Sequence, residues 1–125
     1  MAVTFRPRRS VLYMPGSNAR ALEKGKTLPV DGLILDLEDA VAPDAKVVAR
    51  EQVVKAVREG GYGKRELLVR VNGMNTPWGY EDLMAAASSG ADAVLLPKVD
   101  SADAVRQAEA VLDAAGAPKG LAIWC

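Results

Sequence analysis

Strand-like and helix-like segments alternate along the whole of this chain of 125 residues. Short apolar runs bounded by Gly, Pro or Asp predict strands, and each is followed by a stretch in which apolar residues recur at helical spacing. The predicted strands are 10–14, 33–37, 66–71, 93–96 and 121–125. Strands that recur about every thirty residues, with helices between them, favour a parallel sheet with right-handed crossovers.

The starts of the predicted helices carry capping signals. Ser17 and Asn18 are N-cap candidates for a first helix that reaches about residue 27. Pro43 and Asp44 open the second helix, and Ser101 caps the fourth. The sequence therefore predicts four βα units and the start of a fifth strand.

Two architectures contain a parallel sheet of this kind. A doubly wound sheet typically carries a Gly-rich phosphate turn after its first strand, but the turn here reads Met-Pro-Gly-Ser and has no G-x-G-x-x-G pattern. In a (β/α)8 barrel, functional side chains lie at the carboxyl ends of the strands. Polar residues fall at those ends in this sequence: Asp36, Glu38, Arg70, Asn72 and Lys98. We therefore predict an α/β fold of the (β/α)8 TIM-barrel type, of which this chain covers about four βα units and the start of strand five.

Three carboxylates crowd the end of the second predicted strand: Asp36, Glu38 and Asp39. Period-two alternation puts Asp36 and Glu38 on one face and the neighbouring leucines on the other. Like charges this close raise one another's proton affinity unless Mg²⁺, Arg or Lys lies among them, so the segment predicts the floor of a polar site. The alternative is that Asp39 only caps the following helix and that the other acids are exposed at a strand end.

Composition narrows the chemistry. Half of the residues are hydrophobic, and 16 Lys and Arg balance 16 Asp and Glu, so the overall charge favours neither nucleic acid nor a membrane as a partner. The chain has no His, which excludes His-based triads and most zinc sites. It has one Cys, no apolar core of signal-peptide type in its first twenty residues and no run of about 18 apolar residues, so we expect a cytoplasmic protein.

Residues 1–30 are locally basic, with six Lys or Arg residues against one Glu. Such a stretch suits an anionic ligand. For Arg6, Arg8 and Arg9 we expect instead a solvated, partly disordered arm.

Four motifs occur in a fixed order from Arg9 onward: RRSVLYMPGSN, LILDLEDAVAPDAK, LLVRVNGMNTPWGYEDL and GADAVLLPKV. Together they resemble the citrate lyase β-subunit and malyl-CoA lyase family, within the HpcH/HpaI aldolase superfamily. The resemblance implies a (β/α)8 barrel that uses Mg²⁺ as its cofactor. It also implies two ligands, a CoA thioester and a small oxo acid, between which a carbon–carbon bond is cleaved or formed.

The resemblance implies a catalytic role for Arg70, in the VRVN motif. It matches the Arg that grips the carboxylate of the oxo acid. A guanidinium suits this task because it binds a carboxylate bidentately and stays charged. The alternative is that Arg70 pairs with Asp36 and Glu38 as a structural contact.

Further residues match positions around the family's metal. Asp36, Glu38 and Asp39 match its LDLED segment, where the acids lie beside the metal and orient its waters and the Arg. Lys98 matches the Lys of a Pro-Lys pair at the end of strand four. It either adds positive charge to the site or pairs with the acids of strand two, and we expect the pairing.

The first βα unit matches the region that contacts CoA. Tyr13, Asn18 and Lys24 fall where family members touch the CoA, and Arg20 is expected at its phosphates. Asn18 replaces a basic residue of some members, so phosphate binding is expected to move to Arg20 or Lys26. The alternative is that the basic residues of this helix are only solvated.

The resemblance also implies that residues 1–125 are the N-terminal half of a single barrel domain. The family's two metal ligands, a Glu and a later Asp, are expected beyond Cys125, and none is expected within this chain. A half barrel has open strand edges and a large apolar face, so we expect the isolated chain to be inactive. In malyl-CoA lyases a neighbouring subunit supplies the general base, which implies a homo-oligomer, a trimer or a hexamer.

Three functions are compatible with these motifs. A Mg²⁺-dependent carbon–carbon lyase would cleave or form a 3-hydroxyacyl-CoA such as citryl-CoA or malyl-CoA. A thioesterase would hydrolyse malyl-CoA, and a non-catalytic scaffold subunit would use the half barrel for assembly. The intact Arg70 and acid motifs favour the lyase.

Overall fold

A computed structural model describes residues 6–125, which form five parallel strands joined by helices. The elements in chain order are β1 (Val11–Pro15), α1 (Ala19–Lys24), β2 (Gly32–Asp36), a 3₁₀ turn (Pro43–Ala45), α2 (Lys46–Glu59), β3 (Glu66–Arg70), α3 (Gly79–Ser89), β4 (Ala93–Leu95), α4 (Ala102–Ala114) and β5 (Ala122–Trp124). The strands lie side by side in the same order as in the chain. In a doubly wound sheet the strand order changes direction, with β1 in the interior of the sheet. The order here runs in one direction from β1 to β5, so the chain has the first part of a (β/α)8 barrel, as predicted.

Side chains alternate between two faces of the sheet. Leu33, Leu35 and Leu37 point towards the helices and are almost completely buried in the main core. The other face, here called the inner face, carries a smaller apolar cluster: Ile34, Leu68, Ala93 and Leu95, with Trp124 packed against it. Asp36 and Arg70 are in register at the carboxyl ends of β2 and β3 and share this inner face by period-two alternation.

Two of the predicted helix caps are present. The Asn18 side chain accepts a hydrogen bond from the Ala21 N–H at 3.0 Å, and Ser101 accepts one from the Ala104 N–H at 3.3 Å. The suggestion that Asp39 caps the second helix is wrong, because that helix begins through the Pro43 turn without a side-chain cap.

The turn after β1 packs directly on β2. The Gly16 N–H donates to the Asp36 carbonyl oxygen at 2.7 Å. A Cβ at Gly16 would lie 2.7 Å from that oxygen and 2.8 Å from the Val53 side chain, so only Gly fits here. This contact holds the first βα turn against the strand that carries the acids.

The segment before β1 is solvent-exposed, as expected, and the Arg9 side chain is 91% exposed, but Arg6 and Arg8 are paired with acids. Arg8 makes two hydrogen bonds with the Glu66 carboxylate, at 2.6 and 2.8 Å, and its guanidinium carbon lies 4.8 Å from the centre of the Trp124 ring. Arg6 lies 3.7 Å from Asp92, and the Arg9 N–H donates to Asp31 at 2.6 Å. The physical reason is Glu66, which begins β3 and is 4% exposed, so its charge needs a partner.

Within residues 6–125, no helix combines the length and the apolar composition that crossing a membrane requires.

Candidate active site at the carboxyl edge of the sheet

Four charged side chains meet at the carboxyl edge of the sheet: Asp36, Glu38, Arg70 and Lys98. They come from the ends of β2 and β3 and from the loop after β4. Parallel strands bring these ends to one edge, so residues far apart in the chain become neighbours. We call these four residues the charged cluster.

The pair of Asp36 and Arg70 is the centre of the cluster. Arg70 Nε donates to Asp36 Oδ1 and Nη2 donates to Oδ2, both at 2.8 Å. The Arg70 guanidinium also lies 4.8 Å from the centre of the Tyr13 ring. The hydrogen bonds with Asp36 raise the pKa of Arg70, so the guanidinium stays charged.

Asp36 is 1% exposed and is fully hydrogen-bonded. Besides Arg70, it accepts the N–H groups of Glu38 at 2.9 Å and Ala40 at 3.0 Å. Burial by itself raises the pKa of the Asp36 carboxyl, but the bonds from Arg70 and from the two N–H groups outweigh burial and hold the pKa below its usual range. The buried carboxylate therefore stays ionised.

Glu38 bridges the two cations of the cluster. Its Oε2 accepts from Lys98 Nζ at 2.9 Å, and its Oε1 lies 3.5 Å from Arg70 Nη1. Lys98 has the expected pairing, and the hydrogen bond with Glu38 raises its pKa. The Lys98 backbone has a φ of 50°, which is uncommon for a residue other than Gly.

Asp39 lies outside the hydrogen-bonded cluster. Its side chain is exposed, and it forms no ion pair within the described part of the chain. Its charge nevertheless contributes to the raised pKa of Lys98.

The residues expected at CoA lie on and before α1. Tyr13 is 51% exposed and its ring stacks on Arg70, so it joins this region to the charged cluster. The Asn18 oxygen is used as the helix cap, whereas Arg20 and Lys24 are exposed, four residues apart and therefore on one side of α1. Lys26 pairs with Glu23 at 2.9 Å.

Sequence reasoning missed a polar network beneath the cluster. Asp82 is 1% exposed and accepts from Arg50 Nε at 2.7 Å and from Asn72 Nδ2 at 2.6 Å. Asn72 Nδ2 also donates to the Leu37 carbonyl, and Lys46 Nζ reaches the same carbonyl at 3.1 Å. One sequence signal could have revealed this network: α2 and α3 carry charged residues, Lys46 and Asp82, on the faces that pack against the core.

The described residues do not by themselves fit a Mg²⁺ site. Across positions 6–125, no three Asp, Glu or Cys side chains come together in a way that would hold a metal. Both Asp36 oxygens are engaged by Arg70 and by backbone N–H groups, and Glu38 is paired with Lys98. The cluster therefore offers charge and hydrogen-bond donors rather than a ligand set.

The parallel sheet of a barrel, with acids that pair with an Arg at its carboxyl edge, places this chain among the (β/α)8 proteins. In that class the functional site lies at the carboxyl edge of the sheet. The chain belongs to the HpcH/HpaI aldolase/citrate lyase family, whose model matches residues 9–121.

Two relatives and one solved structure illustrate this membership. The chain is 53% identical over 106 residues to a (3S)-malyl-CoA thioesterase of Cereibacter sphaeroides, with 85% of this chain and 37% of the relative covered. It is 43% identical over 104 residues to the citrate lyase subunit beta of Escherichia coli, covering 83% and 34%. The structure is CitE from Mycobacterium tuberculosis in complex with magnesium, acetoacetate and coenzyme A, at 29% identity and a TM-score of 0.66, covering 83% and 38%. The chain thus spans about a third of the length of the curated relatives that it matches.

The lowered pKa of Asp36 predicts how stability depends on pH. Because the folded value lies below the unfolded value of about 3.9, the ionised pair stabilises the fold above that pH and this contribution is lost as pH falls through the folded value. Asp36→Asn should lower the free energy of unfolding near pH 7 by roughly 3 kcal/mol, as when one partner of a buried pair is removed. Its stability should also change less than that of the wild type between about pH 7 and pH 3, measured by urea unfolding.

Asp39→Asn is the matched control, since this carboxylate is exposed and outside the cluster. It should retain the neutral-pH stability and the acid dependence of the wild type. If both variants showed the same stability and the same acid dependence, the pH-dependent stabilisation could not be assigned to Asp36.

Proposed function

We propose that this chain is part of a Mg²⁺-dependent carbon–carbon lyase that acts on a CoA thioester such as citryl-CoA or malyl-CoA. The observation that carries the proposal is the orientation of Arg70. Asp36 occupies one edge of the guanidinium, formed by Nε and one N–H of Nη2. The other edge, formed by Nη1 and the second N–H of Nη2, makes no hydrogen bond among the described residues, although Glu38 Oε1 lies 3.5 Å from Nη1, and it has the geometry to bind a carboxylate bidentately.

Because the two edges of the guanidinium are separate, Arg70 can both form a structural contact with Asp36 and bind the carboxylate of a ligand. Asp36 on one edge and the Tyr13 ring against the face hold the group in place. The opposite edge would bind the carboxylate of the oxo acid. Prior positioning of a charged donor is an efficient way to stabilise charge that develops in a reaction, because no reorganisation is needed.

The ligands are proposed from the relatives. The Mycobacterium tuberculosis structure is a complex with magnesium, acetoacetate and coenzyme A. We propose the same classes here, with the CoA along Tyr13, Asn18, Arg20 and Lys24 and the oxo acid at Arg70. Mg²⁺, if bound, would supply Lewis acidity towards the oxo acid, and the described residues do not by themselves provide its ligand set.

A second activity is favoured by a specific observation, the 53% identity to a protein named (3S)-malyl-CoA thioesterase. Full-length protein incubated with (3S)-malyl-CoA distinguishes the two. A lyase yields glyoxylate and acetyl-CoA, whereas a thioesterase yields malate and free CoA. Absence of both product pairs, together with absence of oxaloacetate and acetyl-CoA when citryl-CoA is supplied with Mg²⁺, would contradict the proposal.

Arg70→Lys tests the carboxylate-binding role. Lys keeps the charge but loses the paired donors, so kcat should fall by roughly two to three orders of magnitude, as when one preorganised donor is removed. Steady-state kinetics and thermal unfolding should be measured on the same protein. The melting temperature should also fall, because Lys cannot make both bonds to Asp36.

Arg65→Lys is the matched control for loss of stability. Arg65 directly precedes β3, at the end of the strand opposite to Arg70, and donates to the Leu28 and Tyr62 carbonyls. It should lower the melting temperature without lowering the kcat of the folded enzyme. Arg70→Lys protein that is destabilised but turns over like the wild type would show that Arg70 is a structural contact only.

The exposed cations of α1 test the CoA assignment. Replacing both Arg20 and Lys24 with Ala should raise the KM for the acyl-CoA, and this difference from the wild type should shrink as salt is added, because charge screening weakens the wild-type interaction. The KM for the oxo acid should not change. The control replaces Lys55 and Arg58, an exposed pair on α2, and should leave both KM values unchanged. An unaltered KM for the acyl-CoA in the α1 variant would refute this placement of CoA.

A further inference from the structure

Lys46 is a buried cation close beneath the charged cluster. It begins α2 and is 7% exposed. Its Nζ donates to the Glu38 carbonyl at 2.8 Å and to the Leu37 carbonyl at 3.1 Å, and it lies 5.2 Å from the centre of the Trp78 ring. Within the described part of the chain it has no carboxylate partner. Two carbonyl dipoles and an aromatic face therefore compensate the cost of burying this charge.

The two carbonyls that Lys46 holds belong to the segment that carries the Glu38 carboxylate. The Glu38 N–H donates to Asp36 at 2.9 Å, and its carbonyl accepts from Lys46. The Leu37 N–H donates to the Arg70 carbonyl at 2.9 Å, and the Leu37 carbonyl accepts from both Asn72 and Lys46. Every backbone polar group of these two residues is thus bonded.

The Glu38 carboxylate lies next to the edge of the Arg70 guanidinium that Asp36 does not occupy. Glu38 Oε1 lies 3.5 Å from Arg70 Nη1, just outside the length of a good hydrogen bond, while Oε2 is bonded to Lys98. A small movement would let Glu38 close onto that edge. It would then compete with any carboxylate ligand for the same donors.

We propose that Lys46 is a positioning residue, which by holding the Leu37 and Glu38 carbonyls keeps the Glu38 carboxylate hydrogen-bonded to Lys98 and prevents it from closing from 3.5 Å to a full hydrogen bond on the ligand-binding edge of Arg70. The expected effect of Lys46 on ligand binding at Arg70 rests on the proposed function. Its expected effect on the contact between Glu38 and Lys98 is independent of that function.

The contact is tested by acylation of Lys98 in the full-length protein. The hydrogen bond to Glu38 raises the pKa of Lys98 and so lowers the fraction of reactive free amine. Lys46→Met should release Glu38 and raise the rate of Lys98 labelling by N-hydroxysuccinimidyl acetate about two- to fivefold, the range for an exposed ion pair. Peptide mass spectrometry reports the rate, with the exposed Lys64 as internal standard.

Two further variants make the labelling result specific. Glu38→Gln should give the same increase, and combining it with Lys46→Met should add nothing further. Lys46→Arg, which keeps charge and donors, should label like the wild type. If Lys46→Met does not fold, Lys46→Gln retains one donor group and should label at an intermediate rate. Wild-type labelling in a folded Lys46→Met or Lys46→Gln protein would overturn the proposal.

The kinetic readout separates positioning from general stability. In condensation assays with acetyl-CoA and glyoxylate, Lys46→Met should raise the KM for glyoxylate roughly tenfold, as expected for competition by one charge-assisted hydrogen bond, with kcat nearly unchanged. A purely structural role would instead lower the apparent kcat by reducing the folded fraction and leave KM alone. If the wild type has neither lyase nor thioesterase activity, the proposed function fails, and the labelling of Lys98 still decides the role of Lys46.

Discussion

A buried carboxylate at the end of β2 organises the carboxyl edge of this protein. Asp36 is 1% exposed and accepts four hydrogen bonds, two from Arg70 and two from the backbone of the turn that follows. An ionised group at this depth is tolerated only when its lone pairs are satisfied. Asp36 therefore fixes both the Arg70 guanidinium and the conformation of the segment that presents Glu38.

Charge is compensated at both ends of the inner face. At the amino end, Glu66 takes two hydrogen bonds from Arg8, and at the carboxyl end Asp36 takes two from Arg70. Between them Leu68 is completely buried. Bidentate Arg pairs therefore lie at either end of an apolar layer. Arg70 differs from Arg8 in its place, at the carboxyl edge beside Glu38 and Lys98.

The matched relatives carry two different activities on a common segment. A thioesterase at 53% identity and a citrate lyase subunit at 43% both align with most of this chain. Under the proposed function, an Arg held by an acid would suit either reaction, because malyl-CoA and citryl-CoA both carry a carboxylate on the acyl group. The proposed function therefore leaves the choice between carbon–carbon cleavage and thioester hydrolysis to which bond is presented to the reacting groups, and product analysis addresses that directly.

The sequence by itself determined the order of the elements, the parallel sheet and the edge at which Asp36, Glu38, Arg70 and Lys98 gather. These follow from hydrophobic periodicity, caps and turn residues, which act over a few positions. The likeness of four ordered motifs pointed to the family. Local pattern also placed Asp36 and Glu38 together on one face.

The partners of the charged side chains were decided only by the tertiary structure. Arg8 finds Glu66 at a separation of 58 residues, Lys98 finds Glu38 at 60, and Lys46 binds carbonyls rather than a carboxylate. Asp36 rather than Asp39 supplies the hydrogen bonds of the turn after β2. The physical reason is that a charge is paired according to strand register and depth of burial, and neither is expressed in the spacing of residues along the chain.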